Sequence, residues 1–146
     1  MKNTGRPSED IFDQHWMLLG KRAYVHVFTD SAEVRGMNKK QVMVKAQPAD
    51  RLVVLDGLMF LAEVKSSVAS HDRFDFKLLQ AGQSRAAAMV LAAGGEYLIY
   101  YHHLSTNEWF RFSYSEVKTA KEAGASSIPL AQLREQRRLW IPSTTL

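Results

Sequence analysis

A chain of 146 residues with 46% hydrophobic content is long enough to bury one domain core and too short for two ordinary domains. It contains no cysteine, which excludes disulfides, thiolate zinc sites and cysteine nucleophiles, and leaves hard-metal chemistry on oxygen ligands open. The formal charge of +4 and pI near 9.4 favour a polyanionic partner such as nucleic acid without requiring one. No apolar run reaches the roughly 18 residues of a membrane span, and the polar start M-K-N-T-G-R-P-S lacks the apolar core of a signal peptide; the expectation is a soluble, cytoplasmic protein with no membrane partner.

Pro7, Ser8 and Glu9 open a predicted helix that runs to Leu19, with Ser8 as its N-cap and Gly20 as its stop. Ile11, Phe12, His15, Trp16 and Leu19 recur at helical spacing and give it one apolar face. Glu9 falls in the first turn, where the helix dipole favours an anion; its other reading is as an acidic ligand carried over the strands that follow. His15 reads as a packed or capping side chain. Residues 23–29 (A-Y-V-H-V-F-T) form a predicted strand. Residues 30–40 are polar, include Gly36 and end in Lys39-Lys40, a loop that is either simply solvated or a grip for a phosphate backbone. Residues 41–46 return to strand-like alternation.

The stretch from Pro48 to Lys65 organises the chain. Two apolar runs meet at Asp56-Gly57, a pair that supplies the positive φ angles of a two-residue hairpin turn. If Leu55 faces Leu58, partner numbers sum to 113, so Asp50 lies opposite Glu63 on one face. Opposed like charges destabilise a sheet, and buried charges are costly unless neutralised, so the arrangement calls for a cation. Lys65 shares that face by the period of two. Val53, Val54 and Leu55, with Leu58, Met59, Phe60 and Leu61, are apolar on both faces, as expected of central strands covered on two sides.

Residues 66–77 read as a connection; His71 and Asp72 have no second histidine at ligand spacing. A helix is predicted over 78–93, with Leu78, Leu79, Ala86, Val90 and Ala93 toward a core and Gly94-Gly95 as its stop. Gln83 and Arg85 lie near its start, within reach of the strand rim. Residues 96–102 form a buried-type strand and 109–112 its short partner. His102 and His103 point to opposite faces and cannot ligate one ion. After a helical turn at 114–117 the chain reads as a domain over 1–118 followed by an extension over 119–146. The extension is a linker and then a basic amphipathic helix of about ten residues, in which Arg134, Arg137 and Arg138 are candidates for phosphate contact and Leu130, Leu133 and Trp140 for docking.

Asp50, twelve intervening residues and then Glu63-Val64-Lys65 resemble the PD-(D/E)xK nuclease motif, with Glu9 on a preceding helix and Gln83 in a following L-x-x-x-Q context. The pattern is most similar to the Holliday junction resolvases of the archaeal Hjc type and of the RecU type found in Gram-positive bacteria and their phages. The resemblance spans most of residues 5–117, including the G-R-x-x-E start and F-R-F-S-Y-S-E-V, and fades after Lys118. It departs from many members in having Ala49 between Pro48 and Asp50.

That resemblance implies an α/β, restriction-endonuclease-like core, a central mixed β-sheet flanked by helices. It implies a Mg²⁺ site, with Mn²⁺ as a substitute, held by Asp50, Glu63, the carbonyl of Val64 and, directly or through water, Glu9. Such an ion acidifies water and offsets charge during in-line attack on a phosphodiester. Lys65 would orient the nucleophile, and Gln83 would position water or phosphate. Arg6, Lys39, Lys40, Lys77 and Arg85 would hold the DNA backbone. A homodimer would match the two-fold symmetry of a four-way junction, with no small-molecule cofactor. A less selective nuclease of the VRR-NUC type and a non-catalytic nucleic-acid-binding module of the same fold are the alternatives.

Overall fold

The computed structural model describes residues 5–28, 47–68 and 71–144; the predicted loop over 30–40 with Lys39 and Lys40, and the predicted strand over 41–46, lie outside them. Helix α1 (Arg6–Leu18) is followed by a 3₁₀ turn (Gly20–Arg22) and strand β1 (Ala23–Val27). Strands β2 (Arg51–Leu55) and β3 (Leu58–Ser67) form the central hairpin. Asp56 and Gly57 have φ of +48° and +86°, the two left-handed positions of a type I′ turn. Pairing runs from Leu55↔Leu58 to Arg51↔Ala62, so the register is the one the turn dictates.

Downstream lie β4 (Arg73–Asp75), a 3₁₀ turn (Phe76–Leu78), α2 (Ala81–Ala92), β5 (Tyr97–His103), β6 (Glu108–Ser113), α3 (Tyr114–Glu122), β7 (Ser127–Pro129), α4 (Leu130–Glu135) and β8 (Leu139–Trp140). One mixed sheet of six strands has the order β1-β2-β3-β5-β6-β8. Strands β3 and β5 are parallel while the other neighbours are antiparallel. A parallel step needs a crossover, and α2 lies within it. The expected α/β architecture, a central mixed sheet flanked by helices, is present.

Alternation along β3 and β5 divides the interior into two cores. On one face Tyr97, Ile99 and Tyr101 pack with Phe110, Phe112, Ala87 of α2, Val117 of α3, and Leu130 and Leu133 of α4. On the other, Phe12 and Trp16 of α1 pack on Val53, Ala62, Val64, Tyr100 and Trp140. The hairpin is covered on both faces only toward its base; Leu58 and Met59 beside the turn are 70% and 62% exposed, against the expectation from their apolarity.

Several predicted boundaries move for identifiable reasons. Gly5 rather than Ser8 is the N-cap of α1; Ser8 turns inward, is buried, and its Oγ lies 2.8 Å from His102 Nδ1. Helix α2 starts at Ala81 rather than 78, because Gln80 and Gln83 form a reciprocal capping box there; Ala87, not Ala86, is its buried residue. The predicted connection contains β4, which pairs with β7 from beyond residue 118 and sets Phe74 fully in the core. The predicted linker is helical: Ser113 and Glu116 cap α3, which continues through Lys118 to Glu122.

The segment read as an extension is built into both cores. Helix α4 has six residues rather than about ten, Arg137 turns the chain with φ of +58°, and β8 then joins the sheet through Trp109↔Trp140. The Trp140 ring meets Phe12, His15, Trp16, Tyr100 and Trp109. Arg134 and Arg138, candidates for phosphate contact, are paired with Glu108 and Glu116. Among the described residues no helix is long and apolar enough to cross a membrane. Trp140→Ala is expected to cost about 3–5 kcal/mol in urea unfolding, the usual loss for a large aromatic taken from a core; a change below about 1 kcal/mol would show that β8 is dispensable.

Candidate active site

Glu63 lies in the middle of β3, on the face covered by α2, and is fully buried. A buried carboxylate needs donors; Gln83 and Lys65 supply them, and the Tyr97 hydroxyl shares its single hydrogen between Glu63 and a nearer peptide carbonyl. Gln83, in the first turn of α2, donates from Nε2 to Glu63 Oε1 at 2.6 Å, while its own Oε1 accepts from Gln80 N at 3.0 Å. The residue that caps the helix therefore also ties it to the sheet. Lys65 Nζ lies 3.1 Å from the same Oε1. Tyr97 OH donates to the carbonyl of Pro48 at 2.8 Å and stands 3.3 Å from Glu63 Oε2.

Asp50 sits one residue outside the β2–β3 ladder. Its Oδ2 accepts from Val64 N at 3.0 Å, so a side chain satisfies the β3 amide beside Glu63. Its main-chain oxygen accepts from Phe28 N at 3.1 Å and from Arg51 Nη1 at 3.0 Å. Burial, and next the Asp50 carboxylate, push the Glu63 carboxyl up to about 8, with Lys65 offsetting only part of the effect. Burial and then Glu63 hold the Tyr97 hydroxyl well above the usual phenol range, so it acts as a neutral donor.

Glu9 approaches from α1, on the opposite face of the hairpin base. It is raised above the usual carboxylate range by burial and then by Asp50. Its Oε1 is 3.5 Å from Arg51 Nη2, and Arg51 makes its closer bonds to Asp13, one turn along α1, at 2.7 and 3.1 Å.

The structure thus gathers Asp50, Glu63, Val64, Lys65 and Gln83, with Glu9 adjoining across Arg51. Arg6, Lys77 and Arg85 are exposed, on α1, the turn before α2, and α2 itself. Sequence reasoning missed Tyr97, Arg51 and Asp13. The only local signal was the Glu9–Asp13 spacing of four, which puts two acids on one helix face; nothing in the sequence pairs Tyr97 with Glu63.

The donor set suits a hard cation: two carboxylates at the base of one hairpin, oxygen ligands throughout, and a peptide carbonyl at Val64. Mg²⁺ commonly uses one or two carboxylates and keeps several waters. Among the described residues no three histidine, aspartate or glutamate side chains converge as a ready metal cluster; Asp50 and Glu63 are the two carboxylates that could hold an ion, and Glu9 lies beside Arg51.

No protein-family model matches the chain, and no curated protein matches it in sequence. Among solved structures it is similar to Hjc of Archaeoglobus fulgidus, described as a Holliday junction resolvase from an archaeal hyperthermophile. Identity is 15%, 75% of each chain is covered, and the TM-score is 0.47. A likeness of that degree says nothing of activity.

The Glu63 carboxyl has a folded pKa of about 8 against an unfolded value of 4.5. Folding therefore favours its protonated form, and this contribution is full below the unfolded pKa and lost as pH rises from about 4.5 to about 8. Glu63→Gln, permanently neutral, is expected to unfold like the parent near pH 4 and to be more stable by on the order of a few kcal/mol above pH 8. Parallel pH–stability curves for the two chains would show that the carboxyl is not perturbed.

Proposed function

We propose that this protein is a metal-dependent DNA endonuclease that hydrolyses phosphodiesters in four-way junctions. The observation that carries the reading is the convergence of Asp50, Glu63, Lys65 and Gln83 around one buried carboxylate, with Glu9 adjoining. Preference for junctions follows the motif's resemblance to junction resolvases, and the net charge of +4 suits a polyanionic substrate.

When bound, Mg²⁺ would polarise a phosphoryl oxygen and acidify a water molecule. Asp50 and Glu63 would hold it, together with the Val64 carbonyl. The Val64 N–H bond keeps Asp50 oriented, and Tyr97, anchored on the Pro48 carbonyl, keeps the chain entering Asp50 close to Glu63. Lys65 would stabilise negative charge at the attacked phosphate. Gln83, docked on Glu63 by a helix cap, would hold that carboxylate and its own amide in fixed relation to the incoming strand. Arg6, Lys77, Arg85, Lys39 and Lys40 would grip the backbone through charge. Two copies related by a two-fold axis would cut symmetric strands.

Asp50→Asn is expected to lower Mg²⁺-dependent cleavage of a synthetic four-way junction by about 10³-fold or more, the equivalent of some 4 kcal/mol of transition-state stabilisation. In a band-shift assay its junction binding should stay within about threefold of wild type. Equal cleavage of linear duplex by the wild-type chain would assign it to the less selective nucleases. Junction binding without cleavage in Mg²⁺ or Mn²⁺ would make it a binding module.

A further inference from the structure

Arg51 follows Asp50 directly, is 6% exposed, and points to the α1 side of the sheet. A buried guanidinium is costly unless its donors are used, and this one uses its whole fork. Nε and Nη2 donate to Asp13 Oδ1 and Oδ2 at 2.7 and 3.1 Å, and Nη1 donates to the Asp50 carbonyl at 3.0 Å. Nη2 also forms a longer ion pair with Glu9 Oε1 at 3.5 Å, outside good hydrogen-bond distance. One planar group therefore connects the helix turn that carries Glu9 to the main chain of Asp50.

The unequal distances carry the argument. If the fork served only to tie α1 to β2, Asp13 alone would suffice as its partner. Because Asp13 takes both donors on that side of the plane at 2.7 and 3.1 Å, Arg51 pairs with Glu9 only at 3.5 Å, through one nitrogen it already shares with Asp13. Lysine cannot reproduce this, because a point charge has no fixed fork to serve a bidentate carboxylate and a peptide carbonyl together.

We infer that Arg51 and Asp13 are positioning residues for the cation site: Arg51 fixes the Glu9 turn against the Asp50 main chain, and Asp13 takes the hydrogen-bonded positions of the guanidinium so that its ion pair with Glu9 stays at the longer distance. The inference rests on the proposed nuclease function. With Asp13 neutralised, Glu9 is the nearest remaining carboxylate and Arg51 closes on it. With Arg51→Lys, the Asp50 carbonyl and α1 lose their common anchor.

The full-length wild-type, Asp13→Asn and Arg51→Lys chains would be titrated with Mn²⁺ by calorimetry in the absence of DNA, unfolded in urea without metal, and assayed for junction cleavage across a Mg²⁺ series. Both variants are expected to bind Mn²⁺ about 10-fold or more weakly, the usual effect of removing an outer-shell partner, and to need correspondingly more Mg²⁺ for half-maximal cleavage. At saturating Mg²⁺, Asp13→Asn should recover most of the wild-type rate, a split between ion affinity and turnover that a loss of stability does not produce. Variants that unfold more easily yet bind Mn²⁺ like the wild type would overturn the inference, as would loss of the native fold in both. A wild-type chain that neither binds Mn²⁺ nor cleaves DNA would overturn the nuclease reading and this inference with it; wild-type binding with unaffected variants overturns the inference alone.

Discussion

A glutamate sealed inside the face of a β-sheet is the constraint that the rest of this molecule answers. Glu63 is fully buried among aromatic and aliphatic neighbours, where an isolated carboxylate costs several kcal/mol. Its donors come from three separate places: Lys65 from the same strand, Gln83 from the crossover helix and Tyr97 from the parallel strand. Gln83 also accepts at the cap of α2 through its Oε1, and the single Tyr97 hydrogen is shared with the nearer Pro48 carbonyl. Helix start, strand start and hairpin entry are thus positioned by bonds to or beside a single side chain, which gives the site its rigidity.

The second anchoring point lies on the opposite face. There α1 packs Phe12 and Trp16 into an aromatic cluster closed by Trp140, and its first turn is pinned by Ser8 to His102. His102 in turn stacks on Trp109 at 4.4 Å and donates from Nε2 to Asn107 Oδ1 at 2.9 Å. These contacts fix the helix rotation that brings Glu9 and Asp13 to Arg51. The C-terminal strand β8 therefore bears on the site although none of its residues is near Glu63: it supplies the ring against which α1 is seated.

Much of the candidate site was legible because it is local. Asp56-Gly57 specifies a turn, the turn specifies a register, and a period of two then places Glu63 and Lys65 on one face. Gln83 was legible only as a polar residue near a helix start; that it caps the helix and holds Glu63 at once depends on how α2 lies across the sheet. The readings that failed share a physical cause. Strands β4 and β7 are three residues each and are stabilised by pairing more than fifty positions apart in the chain, which leaves no periodic trace. The polar run after Val117 looked like a linker because α3 buries little beyond Tyr114 and Val117, although its capping box was there to be read.

By itself the sequence determined the hairpin and its register, the shared face of Glu63 and Lys65, the apolar stripe of α1 and the Gly94-Gly95 stop of α2, since each follows from backbone geometry over a few neighbouring residues. Tertiary structure alone decided that Tyr97 meets Glu63, that Arg51 spans from Asp13 to the Asp50 carbonyl, and that Trp140 belongs to the core. The Tyr97–Glu63 and Arg51–Asp13 contacts join residues 34 and 38 positions apart, and Trp140 meets Phe12 from a different element; side-chain identity carries no information about distant partners until packing has chosen them.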